Sequence, residues 1–143
     1  GVTEGRPPQI DLNTEKKLLD AVLESIREGL VASAHDLSDG GLAVALAESC
    51  ISGKTGAKVN VATSLRPDIA LFSESQSRIL LSASPDHATA LKRKLQDRGI
   101  PVQELGTVQG TELVVSVNGK TAIHSPVDEL EKVWKDAIPC LMQ

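Results

Sequence analysis

The hydrophobic positions of this chain change their period several times, and each change marks an element. Between Asn13 and Gly29 the apolar residues Leu18, Leu19, Val22, Leu23 and Ile26 recur at helical spacing. Asn13 or Thr14 is placed to cap the start of that helix and Gly29 to close its end. Leu30 to Ala34 is then a short unbroken apolar run ending in His35 and Asp36, the pattern of a buried strand that opens into a loop at its carboxyl end. From the Gly40-Gly41 pair a second helical stripe, Leu42, Ala45, Leu46 and Ser49 or Cys50, runs on until Gly53 and Gly56 stop it. Ala57, Val59 and Val61 alternate with Lys58 and Asn60 as a half-buried strand does, and a looser segment through Pro67 leads to Leu71-Phe72-Ser73-Glu74-Ser75. Ile79 to Ala83 follows as the next buried strand.

The second half carries sharper punctuation. Ser84 as cap and Pro85 at the first helical position announce a helix with Leu91 and Leu95 inside, closed by Gly99 with Pro101 just beyond. Val102 to Val108 and Leu113 to Val117 read as strands, and Asn118-Gly119 is the preferred pair for a type I′ hairpin into Thr121 to Ile123. Ser125, Pro126, Asp128 and Glu129 favour a last helix whose buried stripe is Leu130, Val133, Trp134 and Ala137. Helices and strands interleave, but the strands after Pro101 follow one another directly. The pattern therefore predicts an α/β (α+β) fold in which a mixed sheet is covered by helices. Residues 1–9 read as an exposed lead-in or linker and residues 10–143 as a single domain, with no internal repeat.

Composition narrows the function classes. Phe72 and Trp134 are the only aromatic residues, so the core is aliphatic and there are few ring faces on which bases could stack. Fifteen basic residues are scattered among nineteen acidic ones for a net charge of −4, which speaks against nucleic acid as a partner. No apolar run approaches the ~20 residues that cross a bilayer, and no basic segment leads into a hydrophobic one, so no membrane is expected. Cys50 and Cys140 are far apart and lack metal-ligand spacing, as in a reduced, cytoplasmic protein.

Two segments concentrate chemistry. The first, HDLSDGG, places His35, Asp36, Ser38, Asp39, Gly40 and Gly41 between a strand end and a helix start. Glycines let a ligand approach the backbone, and the N–H groups and dipole of a first helical turn attract anions. Two carboxylates would repel a phosphate unless a divalent cation lay between them, so the combination suits a Mg²⁺-bridged nucleotide. An equally direct reading makes Ser38 or Asp39 a helix cap, Asp36 a loop tie and His35 a structural residue. The second segment, LFSESQSR, sets Glu74, Ser75, Gln76 and Arg78 just before a buried strand. Gln76 offers donor and acceptor together, and Arg78 a planar fork for a carboxylate or phosphate. Here the plain alternative is an internal Glu74–Arg78 pair. His87 and His124 are isolated, and there is no Ser-His-Asp order, HExxH or phosphate-cradling GxxxxGK[ST].

HDLSDGGLAVALAES followed by LFSESQSR closely resembles the last domain of the phosphoribosylformylglycinamidine synthases. The likeness continues through Gly99-Ile100-Pro101, Leu105-Gly106-Thr107-Val108 and Leu130 to Trp134, nearly the whole chain. That family belongs to the superfamily of aminoimidazole ribonucleotide synthetase, whose members pair an N-terminal α/β domain with a C-terminal one of this kind. The resemblance implies the small, glutaminase-free type of synthase and the conversion of formylglycinamide ribonucleotide to its amidine. ATP would activate the amide oxygen, and ammonia would displace the phosphate. It implies ATP and Mg²⁺ as cofactors of the complete enzyme, with neither expected on the isolated domain, which should be inactive. The partners implied are the upstream domains of the same chain, a separate glutaminase subunit and a small accessory subunit. By counterpart with the catalytic half of that duplicated enzyme, Asp36 is a metal-ligand candidate and Glu74, Ser75 and Gln76 are substrate contacts. No catalytic residue is implied within this chain. The alternatives are a non-catalytic scaffold or auxiliary nucleotide module, or the equivalent domain of a sister ATP-dependent enzyme.

Overall fold

A computed structural model describes residues 9–141, so the expected lead-in falls almost wholly outside the described residues. Within them the order is α1 (Leu12–Arg27), β1 (Ser33–Asp36), α2 (Gly41–Gly53), β2 (Ala57–Val61), α3 (Pro67–Phe72), β3 (Ile79–Ser82), α4 (Pro85–Asp97), β4 (Gly106–Val108), β5 (Glu112–Val117), β6 (Lys120–Pro126) and α5 (Val127–Leu141). The chain divides into two compact units, Gly1–Asp39 with Glu74–Gln103 and Gly40–Ser73 with Glu104–Gln143. Among the described residues no helix is long and apolar enough to cross a membrane.

The first unit packs α1 and α4 with the antiparallel ribbon β1–β3. Its core joins Ala21, Leu91 and Leu95 to the half-buried Leu30, Val31, Leu81, Ala83, Ile100 and Val102. The cap of α1 is Asp11, not Asn13 or Thr14: its carboxylate accepts the N–H of Asn13 at 2.8 Å and of Thr14 at 3.1 Å. A cap residue must keep extended backbone, as Asp11 does, whereas Asn13 and Thr14 already lie inside the helix. Those two bonds hold the Asp11 carboxyl below its ordinary value. The covered face of α1 is Leu18, Ala21, Val22 and Ser25, while Leu19, Leu23 and Ile26 are exposed, because five apolar residues in this spacing span more than one face. Ser25 is buried yet satisfied, its hydroxyl donating to the Ala21 carbonyl at 2.7 Å. Arg98 pairs with Glu24, and Lys94 with Glu28 at 2.5 Å, joining α4 to α1.

The expected buried strand over Leu30–Ala34 is displaced. Leu30 and Val31 pack into the core ahead of it, and the strand proper is Ser33–Asp36, with every residue at least partly accessible. β3 is likewise half-buried rather than buried. In a ribbon of only two strands each faces one neighbour, so neither is enclosed as a central strand is.

The second unit carries the mixed sheet, in the order β4-β2-β5-β6. β2 and β5 run parallel, from Ala57↔Leu113 to Val61↔Val117, and β4 and β6 flank them antiparallel. The alternation read for β2 holds, with Ala57, Val59 and Val61 inward. Asn118 and Gly119 both have positive φ, 50° and 79°, as a type I′ turn requires. The Asn118 amide also bridges to Thr63, accepting its N–H at 3.0 Å and donating to its carbonyl at 2.8 Å. Two strand lengths differ from expectation. β4 is limited to Gly106–Val108 because Val102 serves the core of the first unit, and β6 runs on to Pro126, so Ser125 and Pro126 end a strand instead of capping a helix.

The face of α5 also needs correcting. Val127 is buried and Leu130 half-buried, but Val133 is 72% and Trp134 57% exposed, and Ala137 is exposed too. The covered side turns through Val127, Leu130 and Glu131, and Glu131 pairs with Lys54 at the end of α2 as well as with Lys135. The Glu131 carboxyl is drawn down to about 2, mainly by hydrogen bonds from Lys135 and Lys54. With its folded value below the unfolded one, this group stabilises the fold fully above pH ~4.5 and loses that contribution as pH falls toward 2. Glu131→Gln is therefore expected to flatten that limb of a stability-versus-pH profile followed by chemical denaturation. An unchanged acid limb would show that the pair contributes nothing.

Candidate functional site

Within the first unit, β1 delivers His35 and Asp36 to the end of the ribbon, opposite Leu80 and Ile79. His35 Nδ1 donates to the Asp36 carbonyl at 2.7 Å and lies 3.9 Å from its carboxylate. That bond places the ring proton on Nδ1 and leaves Nε2 as an acceptor when the imidazole is neutral. Leu37 is buried and pins the loop, whereas Asp36, Ser38 and Asp39 are exposed. The Leu37 N–H donates to the Arg78 carbonyl at 3.2 Å, extending the pairing of the two motifs by one bond past the ribbon.

On the other strand of the pairing, Glu74, Ser75 and Gln76 are exposed, while Ser77 and Arg78 are half-buried. Burial pulls the Arg78 guanidinium below its ordinary value. Ser77, which the sequence reading passed over, has φ 61° and donates its hydroxyl to Glu15 of α1. Nothing in local composition marks a serine for the left-handed region, where glycine and asparagine are the usual occupants.

Within the second unit, α2 begins at Gly41 behind Gly40 as its cap. Neither Ser38 nor Asp39 is the cap, because the left-handed turn at Gly40, φ 77°, separates them from the helix. Gly41 has φ 64°, and a Cβ there would stand 2.7 Å from the Ser73 carbonyl oxygen, 2.9 Å from Phe72 C and 3.0 Å from the Leu71 carbonyl oxygen. The side of Gly41 on which a Cβ would stand is thus filled by the backbone of the second motif, where α3 ends. HDLSDGG and LFSESQSR are paired twice over: His35 to Leu37 with Arg78 to Leu80 in one unit, and Gly41 with Leu71 to Ser73 in the other.

Among the described residues no group of three or more His, Cys, Asp or Glu side chains converges as a metal site. Asp36, with its side chain 72% exposed, offers a hard oxygen of the kind Mg²⁺ takes from a protein when nucleotide phosphates complete its shell. Cys50 is a buried free thiol whose pKa desolvation raises, which suits packing rather than nucleophilic chemistry.

Residues 2–118 match the family model described as AIR synthase related protein, C-terminal domain. The chain belongs to that family. Its relatives include the phosphoribosylformylglycinamidine synthase subunit PurL of Caldanaerobacter subterraneus subsp. tengcongensis, 48% identical over all 143 residues, and that of Alkaliphilus metalliredigens, 47% identical over the same length. The chain spans about a fifth of these curated relatives, 20% and 19% of their respective lengths. Among solved structures, phosphoribosylformylglycinamidine synthase II of Thermotoga maritima superposes with TM-score 0.77 at 28% identity, covering 86% of this chain and 22% of that one. T. maritima PurL complexed with ATP matches with TM-score 0.73 at 29% identity over 80% of this chain and 21% of that one. The fold alone is shared with the hydrogenase maturation protein HypE, TM-score 0.58 at 16% identity. The mixed α/β architecture expected for an AIR synthase related C-terminal domain is the one observed.

Proposed function

We propose that this chain is the C-terminal domain of an ATP-dependent C–N ligase that converts formylglycinamide ribonucleotide, ATP and glutamine-derived ammonia to formylglycinamidine ribonucleotide in purine biosynthesis. The observation that carries this reading is 48% identity over the whole chain to a PurL subunit about five times as long. The family model crosses both compact units, which supports treating residues 10–143 as one synthetase-type domain behind a lead-in of residues 1–9. Partners are then the remaining domains of the same chain, a glutaminase subunit and a small accessory subunit; a T. maritima relative was solved as PurLQS.

In this reading His35, Asp36, Ser38, Asp39, Gly40 and Gly41, with Glu74, Ser75, Gln76 and Arg78, are the nucleotide- or substrate-binding candidates. Asp36 would hold Mg²⁺, which supplies charge neutralisation at the phosphates. The chain's own part is electrostatic and positional: exposed carboxylates for a cation, the Gln76 amide for a polar ligand, and the Arg78 fork for an anion. The chain by itself is expected to show no amidine synthesis and little ATP affinity in a coupled phosphate-release assay. Robust turnover by these 143 residues would overturn the reading.

One observation favours a second reading, an auxiliary module whose loops serve packing. The bare face of Gly41 is taken up by Leu71 to Ser73. Calorimetry with Mg-ADP on the full-length protein separates the two when Asp36→Ala is compared with the parent. A loss of about tenfold or more in affinity supports a live site, and unchanged affinity with a lowered melting temperature supports packing.

A further inference from the structure

The exposed run Glu74-Ser75-Gln76 is held at its downstream end by two consecutive residues. Arg78 is tied through its carbonyl to the Leu37 N–H, and Ser77 through its hydroxyl to Glu15, sixty-two positions earlier in the chain. The second tie is the more telling. Ser77 has φ 61°, a conformation that is strained for a non-glycine residue and persists only where surrounding structure holds it. Glu15 stands in the first turn of α1, a helix fixed at its start by the Asp11 cap and along its length by Leu18, Ala21 and Val22 in the core. Its carboxylate is thus an acceptor presented from a packed helix. The hydroxyl it receives belongs to the one residue of the turn whose backbone departs from the ordinary regions, and the contact is partly buried.

We infer that Glu15 is a positioning residue. By holding Ser77 left-handed it fixes the direction in which Glu74, Ser75 and Gln76 leave the protein, and so sets the fraction of molecules whose turn is ready for ligand. Glu15 touches no ligand itself. A ligand that needs one turn conformation binds more weakly in proportion to the time spent in others, so a turn competent about a tenth of the time binds about tenfold more weakly. This inference rests on the reading of Glu74 to Arg78 as a ligand segment, and its test separates failure of the one from failure of the other.

The test uses the full-length protein, measuring kcat and KM for formylglycinamide ribonucleotide, calorimetric affinity for Mg-ADP, and melting temperature. Glu15→Ala is expected to weaken one of the two ligands about tenfold with kcat within about twofold, since binding and not the chemical step is affected. Glu15→Gln keeps an acceptor oxygen for the Ser77 hydroxyl and should restore most of the loss. In a Ser77→Gly background, where positive φ needs no holding and the hydroxyl is absent, Glu15→Ala should have no further effect. If Gln76→Ala weakens a ligand and Glu15→Ala weakens none, the positioning role is wrong while the ligand segment stands. If neither does, the ligand segment itself is wrong and the inference falls with it. Additive losses from Glu15→Ala and Ser77→Gly, or a lowered melting temperature with affinities unchanged, would also overturn it, because either would make Glu15 a stabilising residue of α1 only.

Discussion

Gly41→Ala is expected to destabilise the chain by about 3 to 5 kcal/mol, the sum of left-handed strain and overpacking against a surface that cannot give. The new Cβ would stand 2.7 to 3.0 Å from backbone atoms of Leu71, Phe72 and Ser73. Backbone has no rotamer into which it can retreat. The only relief is to lift the end of α3 off the start of α2, which would uncover Leu42 and Leu71, both buried here. Urea denaturation should show a markedly lower midpoint, and Gly29→Ala is the informative comparison. A Cβ at Gly29 would meet nothing within 4 Å, so that variant should retain more stability although its φ, 74°, is just as positive. Equal losses would mean that backbone conformation, and not the close approach of α3, is what Gly41 provides.

Leu113→Ala should cost about 2 to 5 kcal/mol, the range for truncating a leucine in a core that cannot collapse onto the space left. Leu113 is 1% exposed and opens β5, paired with Ala57 on one side and Ser125 on the other. With strands fixed on both flanks, little can move inward. Val114→Ala, on the opposite face of the same strand and half-buried, is expected to cost far less in the same denaturation experiment. Similar losses at the two positions would show that the inward face of β5 is not the core side.

The features that were legible in the sequence are those whose cause is local. Asn118-Gly119 demands positive φ at two adjacent residues, Ala57-Val59-Val61 alternates at the strand period, and Ser84-Pro85 starts a helix by geometry available in a few residues. The two chemical motifs were legible as segments, whereas their pairing, of which each unit contains part, joins residues about forty positions apart and has no local signal. The errors arise where distant partners decide. Which side of α5 is covered follows from Lys54 and Val127, not from the largest apolar residues, so Trp134 was placed inside and is exposed. α3 was hidden in what read as a loose segment because six residues are too few to show a period, although Pro67 stands at its first turn. The hold of Glu15 on Ser77 joins parts of the chain that share no pattern, and the close approach of Leu71 to Ser73 to Gly41 has no local signature because a missing side chain does not say what fills its place.

The interleaving of the two units constrains how the molecule is made. Because the chain leaves the first unit after Asp39, returns at Glu74 and leaves again after Gln103, no single cut yields either unit entire. On the ribosome the parallel ladder of β2 must wait, unpaired on that edge, until Leu113 to Val117 emerge, long after its own residues have been released. A nascent chain stalled before that point would present Val59 and Val61 to solvent and to chaperones.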